Sequence, residues 1–319
     1  MHSDALDLLL VASLVFIGAG FFYRKNECHV IRAAGWALFG LYWFGQFPYW
    51  IAKDEGINAL GTGAALPVFC FLAFHEYLSY RWNEEYEPLR FLAGACFFAS
   101  AGFFIIEKIP AISVVFIYLV ATQTAWLINV FTPAGYYVSS IDMNGNSLWY
   151  LNTNNDVTAY FRHGDVMSTV TIILACTGIQ AIVASVAFLA STRSERKRRA
   201  KAVLLIVPAV YIVNLFRNAL VIYSTDFSVL GPSTFDIVHG IIGKIVISMT
   251  TLVILMVAAF IIVPEFYESI NGAFELPWRR TPGHDYKKYI GRLLGGRKDM
   301  PGGKKEEPFK EKGEKGREK

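Results

Sequence analysis

Eight apolar runs, each about as long as a bilayer is thick, constrain this chain more than any motif in it. They cover residues 5–23, 30–52, 59–80, 91–106, 111–131, 168–189, 202–223 and 237–263. A helix rises ~1.5 Å per residue, so about 20 residues cross a hydrocarbon core of roughly 30 Å. Inside lipid the backbone has no water to pair with, and an apolar run of this length satisfies itself as a helix. The expected fold is all-α: a polytopic integral membrane helical bundle with about eight transmembrane helices.

Charge divides the chain further. The net charge of +4 hides a clumping of basic residues. Arg193, Arg196, Lys197, Arg198, Arg199 and Lys201 stand between the sixth and seventh runs, and more basic residues follow Pro264. Such clusters mark a cytoplasmic membrane face. No aromatic-rich basic patch accompanies them, so a nucleic-acid partner is not expected. Residues 1–132 read as N-terminal membrane spans and 133–167 as an extracytoplasmic loop. Residues 168–263 read as a core of three spans, and 264–319 as a cytoplasmic basic tail, largely disordered. The first run lacks a basic leader and a small-residue cleavage site, so it is expected to be retained as a span. Counting eight spans back from a cytoplasmic tail leaves Arg24, Lys25, Arg81 and Arg90 outside, against the same charge rule. The side on which Met1 lies stays open at this point.

The loop 133–167 carries Tyr136, Tyr137 and Val138, then Asn144-Gly145, then Leu148, Trp149 and Tyr150. Asn-Gly between strand formers signals a hairpin. Asp165 or Ser168 is a possible cap for the helix expected after it. The four cysteines, Cys28, Cys70, Cys96 and Cys176, are too far apart in sequence for a zinc motif or a disulfide framework. No metal and no cofactor is expected. Cys70 and Cys96 read as packing residues.

Three polar side chains stand out in the last three runs: Cys176, Arg217 and His239. An arginine at the centre of a membrane helix costs about 2.5–3.5 kcal/mol on insertion scales, which makes it a functional candidate. Read as continuous helices, the runs place Cys176 about 12 Å, Arg217 about 9 Å and His239 about 3 Å below their outer ends. All three then converge on the outer leaflet. Asn214 and Asn218 fall on the face of Arg217, and Gln180 falls one turn below Cys176, as candidates for binding substrate. Gly240 and Gly243 flank His239 and permit close helix approach. A cation beside the cysteine favours its thiolate, the form that attacks a carbonyl. Arginine can hold the oxyanion and histidine can move the proton. Each residue also has a structural reading: a packed thiol, a hydrogen-bonding imidazole, a guanidinium held by a carbonyl. His163, beside Arg162, is a rival acid/base. A transporter, another reading of such a chain, is disfavoured by the lack of an internal repeat or buried midplane carboxylates.

The segments Leu174-Ala-Cys-Thr-Gly-Ile-Gln-Ala181, Val213-Asn-Leu-Phe-Arg-Asn-Ala219 and Val238-His-Gly-Ile-Ile-Gly-Lys244 together resemble the three motifs of the archaeosortase/exosortase family, most of all its archaeosortase A subgroup. The resemblance implies a membrane-embedded cysteine transpeptidase. Its partners would be exported proteins with a C-terminal sorting signal, of Pro-Gly-Phe type, and a membrane phospholipid acceptor. Cys176 would be the nucleophile, Arg217 the oxyanion holder and His239 the acid/base or a positioning group. The site would face the extracytoplasmic side of the cell membrane. A peptidase that only hydrolyses is the nearest alternative.

Overall fold

A computed structural model describes residues 4–149, 156–281 and 284–294. The chain forms two units, Met1–Phe274 and Glu275–Lys319, taken separately below. The first is a membrane helical bundle. Its helices are α1 (Asp4–Phe22), α2 (Cys28–Gly45), α3 (Phe47–Ala52), α4 (Gly56–Trp82), α5 (Glu87–Lys108), α6 (Pro110–Phe131), α7 (Ile179–Ser191), α8 (Arg196–Asp226), a π-helical segment Asp236–Met249 that continues as α9 (Thr250–Ile262), and α10 (Pro264–Phe274).

The expected count of about eight spans is not confirmed. Among the described residues six helices are long and apolar enough to cross a membrane: α1, α4, α5, α6, α8 and the joined helix Asp236–Ile262. The second run yields the 18-residue α2 and the short α3. Helix α2 carries Arg32, fully buried, its Nε 2.8 Å from the equally buried Glu76 Oε1 and its Nη2 2.8 Å from Glu85 Oε1. A charge taken out of water persists only with such partners. The sixth run becomes helical only at Ile179, for reasons given with the site.

The helix ends sort by charge. At one end Asn26 donates to the Tyr80 carbonyl, Arg193 pairs with Glu87 at 2.7 Å, and Arg198 pairs with Glu265. The α1–α2, α4–α5 and α7–α8 turns therefore meet, and Arg24, Lys25, Arg81 and Arg90 lie at the same end as the Arg193–Lys201 cluster. At the far end Lys108 pairs with Asp7 at 2.8 Å. Helix α6 is bound to the loop that follows it at both of its ends. Its first turn is tied to the far-side loop by Ala111 N–H donating to the Leu148 carbonyl. Its last turn is tied to the start of that loop by Asn129, which exchanges two 2.7 Å bonds with the Tyr136 backbone.

That loop holds a three-stranded antiparallel sheet, β1 (Tyr136–Asp142), β2 (Thr158–His163) and β3 (Val166–Met167), in the order β1-β2-β3. The expected hairpin strand is present, but its partner is not. β1 pairs with β2, Tyr136 opposite His163 and Asp142 opposite Thr158, with a bulge between Val138 and Ser140. Asn144 and Gly145 do make a turn, with φ of 49° and 82°. The Asn144 side chain, however, reaches Asp156 and Thr158 instead of closing a tight hairpin on Leu148. Residues 150–155, where Tyr150 falls, lie outside the described residues. Ala159, Phe161, Ile172 and Leu174 join Ile117, Ile222 and Ile179 in one core beneath the sheet.

The tail is ordered further than expected. α10 buries Phe266 against Phe91, Leu189 and Ala202, and the Tyr86 hydroxyl donates to the Gly272 carbonyl at 2.9 Å. An apolar face recurring at helical spacing finds a core. In the second unit a 3₁₀ turn (Leu276–Trp278) leads to β4 (Arg280–Thr281), which pairs with β5 (His284–Asp285), and then to α11 (Tyr286–Leu294). The expected disorder beyond residue 294 lies outside the described residues.

Candidate active site

The cysteine segment explains itself from its side chains. Thr169, Val170, Thr171, Ile172 and Ile173 are all β-branched, a composition that favours extended backbone over helix. The run accordingly lies along β2, with Ile172 and Ala159 exchanging backbone bonds of 3.1 and 2.8 Å. A 3₁₀ turn, Leu174–Thr177, follows, and Cys176 N–H closes it on the Ile173 carbonyl at 2.9 Å. Gly178 then takes a left-handed φ of 75°, which a side chain would strain, and α7 starts after it. A Cβ at Gly178 would also lie 3.0 Å from Asn214 Cγ. The depth of Cys176 along a helix from Ser168 is therefore corrected: the thiol sits on a turn ahead of the helix. Ser168 caps no helix, since its hydroxyl accepts from Val170 N–H instead.

The turn is held from behind by α8. Asn214 Nδ2 and Asn218 Nδ2 each donate to the Cys176 main-chain carbonyl at 2.8 Å. Spaced four apart, they present two donors on one helix face. Asn218 also lines the cavity in front of the turn, and Asn214 does not.

That cavity, about 270 Å³, is where Cys176, Arg217 and His239 come together. Residues 169–173 form one wall and α8 another, while Phe235 and His239 come from the last span and its approach. Among the described residues its lining holds no carboxylate. Arg217 Nε is buried and has no hydrogen-bond acceptor among the described residues. A buried donor without a partner costs about 1–3 kcal/mol. Arg217 reaches the cavity by crossing Gly243, where a Cβ would stand 3.0 Å from Arg217 Nε and 2.9 Å from the Val238 carbonyl oxygen. Gly243 thus serves the close approach expected of it. Gly240 does not, since a Cβ there would meet nothing within 4 Å. The 14-residue π-helical segment, a form usually limited to single turns at functional sites, carries His239, whose ring stacks on Phe235 at 4.9 Å.

Two expected residues fall elsewhere. Gln180 lines a smaller cavity of about 80 Å³ with Glu107, Asp156 and Ser113, on the other side of the Cys176 turn. Its expected place beneath Cys176 assumed one helix through both, and Gly178 breaks it. His163 lies on β2 between the rings of Tyr136 and Phe227, at 5.1 and 5.5 Å, outside the cavity.

Asp226, at the end of α8, is the carboxylate nearest to Arg217 in sequence, and no role was expected of it. Its carboxylate accepts from the Tyr136 hydroxyl at 2.9 Å, from Thr169 N–H at 3.0 Å and from the Thr169 hydroxyl at 3.1 Å. It joins α8, β1 and the cavity wall. Burial, and then the bond to Asp226, push the Tyr136 phenol far above its usual range, so it remains a proton donor. The signal available was a lone acid in the last turn of the Arg217 helix.

Comparison with known proteins adds family to geometry. Residues 5–257 match the family model described as transmembrane exosortase. The chain is 25% identical over 234 residues to a protein named archaeosortase A from Haloferax volcanii, covering 70% of this chain and 71% of that one. No solved structure matches.

Proposed function

The chain belongs to the transmembrane exosortase family, and from that premise we propose that it is a cysteine transpeptidase that processes exported proteins at their C-terminal sorting signals. Its relative's name, archaeosortase A, supports the same reading. The observation that carries it is the meeting of Cys176, Arg217 and His239, from three separate segments, on one cavity of a multi-pass membrane protein.

The chemistry balances with these three groups. His239 takes the thiol proton, and Cys176 Sγ attacks the scissile carbonyl carbon. The tetrahedral oxyanion faces Arg217, whose Nε has no other acceptor. The C–N bond breaks, His239 returns the proton to the leaving amine, and a thioester remains on Cys176. A nucleophilic group of a membrane phospholipid then gives its proton to His239 and attacks the thioester. The C–S bond breaks, the proton returns to the thiol, and the protein is left on a lipid. Water in place of the lipid gives hydrolysis.

The signal in this reading is of Pro-Gly-Phe type, followed by an apolar helix and a basic end. A substrate held by its own span is already concentrated in the membrane plane, so weak contacts to a short motif suffice. The basic turns and Arg193–Lys201 face the cytoplasm, which puts the cavity, at the opposite end of α8, on the extracytoplasmic side. The experiment is co-expression of a tagged substrate with wild type or Cys176→Ser, with mass analysis of the new C-terminus. A lipid adduct present with wild type and absent with the variant is expected. Processing that survives in the variant would overturn the reading, and a free carboxylate would replace transfer by hydrolysis.

A further inference from the structure

Residues 169–173 all line the cavity. On an extended strand neighbouring side chains point to opposite faces, so a cavity over one face meets only every second residue. Five in succession are met only along an edge, where the wall is backbone.

The bonding on the other edge tells which groups face the cavity. Ile172 exchanges both its backbone bonds with Ala159 of β2. In an antiparallel pair the residues on either side then turn their N–H and C=O the opposite way. Thr171 and Ile173 therefore present theirs to the cavity edge, and the chain bends at Thr169. Thr169 N–H is taken by Asp226, and the Ile173 carbonyl by Cys176 N–H. Thr171 N–H and C=O take part in no hydrogen bond among the described residues. The edge is occupied on either side of Thr171 and open at it, five residues ahead of the thiol.

We propose that the substrate's signal binds as an added strand, exchanging a backbone bond pair with Thr171 so that the chain runs on to Cys176. Strand addition gives affinity through main-chain bonds with little demand on side chains, which suits a short signal. The inference rests on the transpeptidase reading and sets its register. Proline has no N–H, so in a Pro-Gly-Phe signal proline points away from the edge. Glycine then faces Thr171, and phenylalanine again points away.

The test uses the full-length protein in liposomes and synthetic peptides carrying the signal and its apolar segment. Three are compared: unmodified, with the glycine amide N-methylated, and with the phenylalanine amide N-methylated. Cys176-dependent cleavage is expected to fall at least about tenfold with methylated glycine and to change less than threefold with methylated phenylalanine. The reverse order, or equal effects, overturns strand docking while leaving the enzyme reading intact. No Cys176-dependent cleavage of the unmodified peptide overturns the enzyme reading and this inference with it. On the protein side, Thr171→Pro removes the N–H from the open edge. It is expected to lose at least about tenfold in cleavage while Cys176 is still alkylated by a small maleimide at the wild-type rate. Full cleavage by that variant also overturns the docking.

Discussion

Asn218 donates to the main-chain carbonyl of Cys176 across 2.8 Å, and Asn214 donates to the same oxygen at the same distance. The two amides fix the peptide that carries the thiol to the helix that carries Arg217. Both asparagines were expected to touch substrate. The bonds assign them first to holding the turn that carries Cys176.

That assignment separates kcat from KM. Asn214→Ala, which alters no cavity-lining residue, is expected to lower kcat about tenfold with KM changed less than twofold, since misplacing a reacting group costs rate before binding. A raised KM with unchanged kcat would instead assign Asn214 to the substrate.

Arg217 and Gly243 are predicted to fail together. In the proposed reaction Arg217 holds the oxyanion; removing such a donor costs about 10²–10³ in kcat, and Arg217→Lys is not expected to rescue, because a point charge does not replace the fork. Gly243→Ala places a methyl group 3.0 Å from Arg217 Nε, so it is expected to lose activity at least about tenfold while still inserting into the membrane. Rate assays alongside detergent-extracted yield check both.

Asp226→Asn keeps the shape but lacks one acceptor oxygen for the donors now on the carboxylate. A hydrogen bond to a charged group is worth about 1.5–3 kcal/mol. The variant should lower the melting temperature and the cleavage rate. In a double-mutant cycle with Tyr136→Phe the two losses should be less than additive, since both act on one bond. Additive losses would mean that the 2.9 Å contact carries no coupling.

Topology gives a test that needs no substrate. Eight crossings in series put the α4–α5 and α7–α8 turns on opposite sides of the membrane, whereas the Arg193–Glu87 pair puts them together. In a variant without native cysteines, single cysteines at Asn83 and Ser194 are expected to label only from the cytoplasmic side, and one at Ser139 only from outside. Labelling of positions 83 and 194 from opposite sides would restore eight crossings.

How much of this was legible in the sequence follows from the physics of each signal. Cys176, Arg217 and His239 stand out because polar groups are rare in apolar runs, and no tertiary knowledge is needed to see them. Gln180 was misplaced because hydropathy measures apolar length and does not distinguish a helix from an extended β-branched run. The five residues 169–173 and Gly178 carried that distinction. α6 has the composition of a span, and only its ties to Leu148 and Tyr136 reveal that it lies along the sheet. The role of Asp226, the acid nearest to Arg217 in sequence, stayed hidden because its partners, Tyr136 and Thr169, are 90 and 57 residues away.

The central claim is that Cys176 becomes an acyl-enzyme. The most direct measurement is mass spectrometry of the protein quenched in acid during turnover of a signal peptide. The account predicts one hydroxylamine-labile adduct, of the mass of the peptide's N-terminal fragment, on the fragment of the chain that contains Cys176. An adduct on another residue, or peptide cleaved at the wild-type rate by Cys176→Ala, would contradict it.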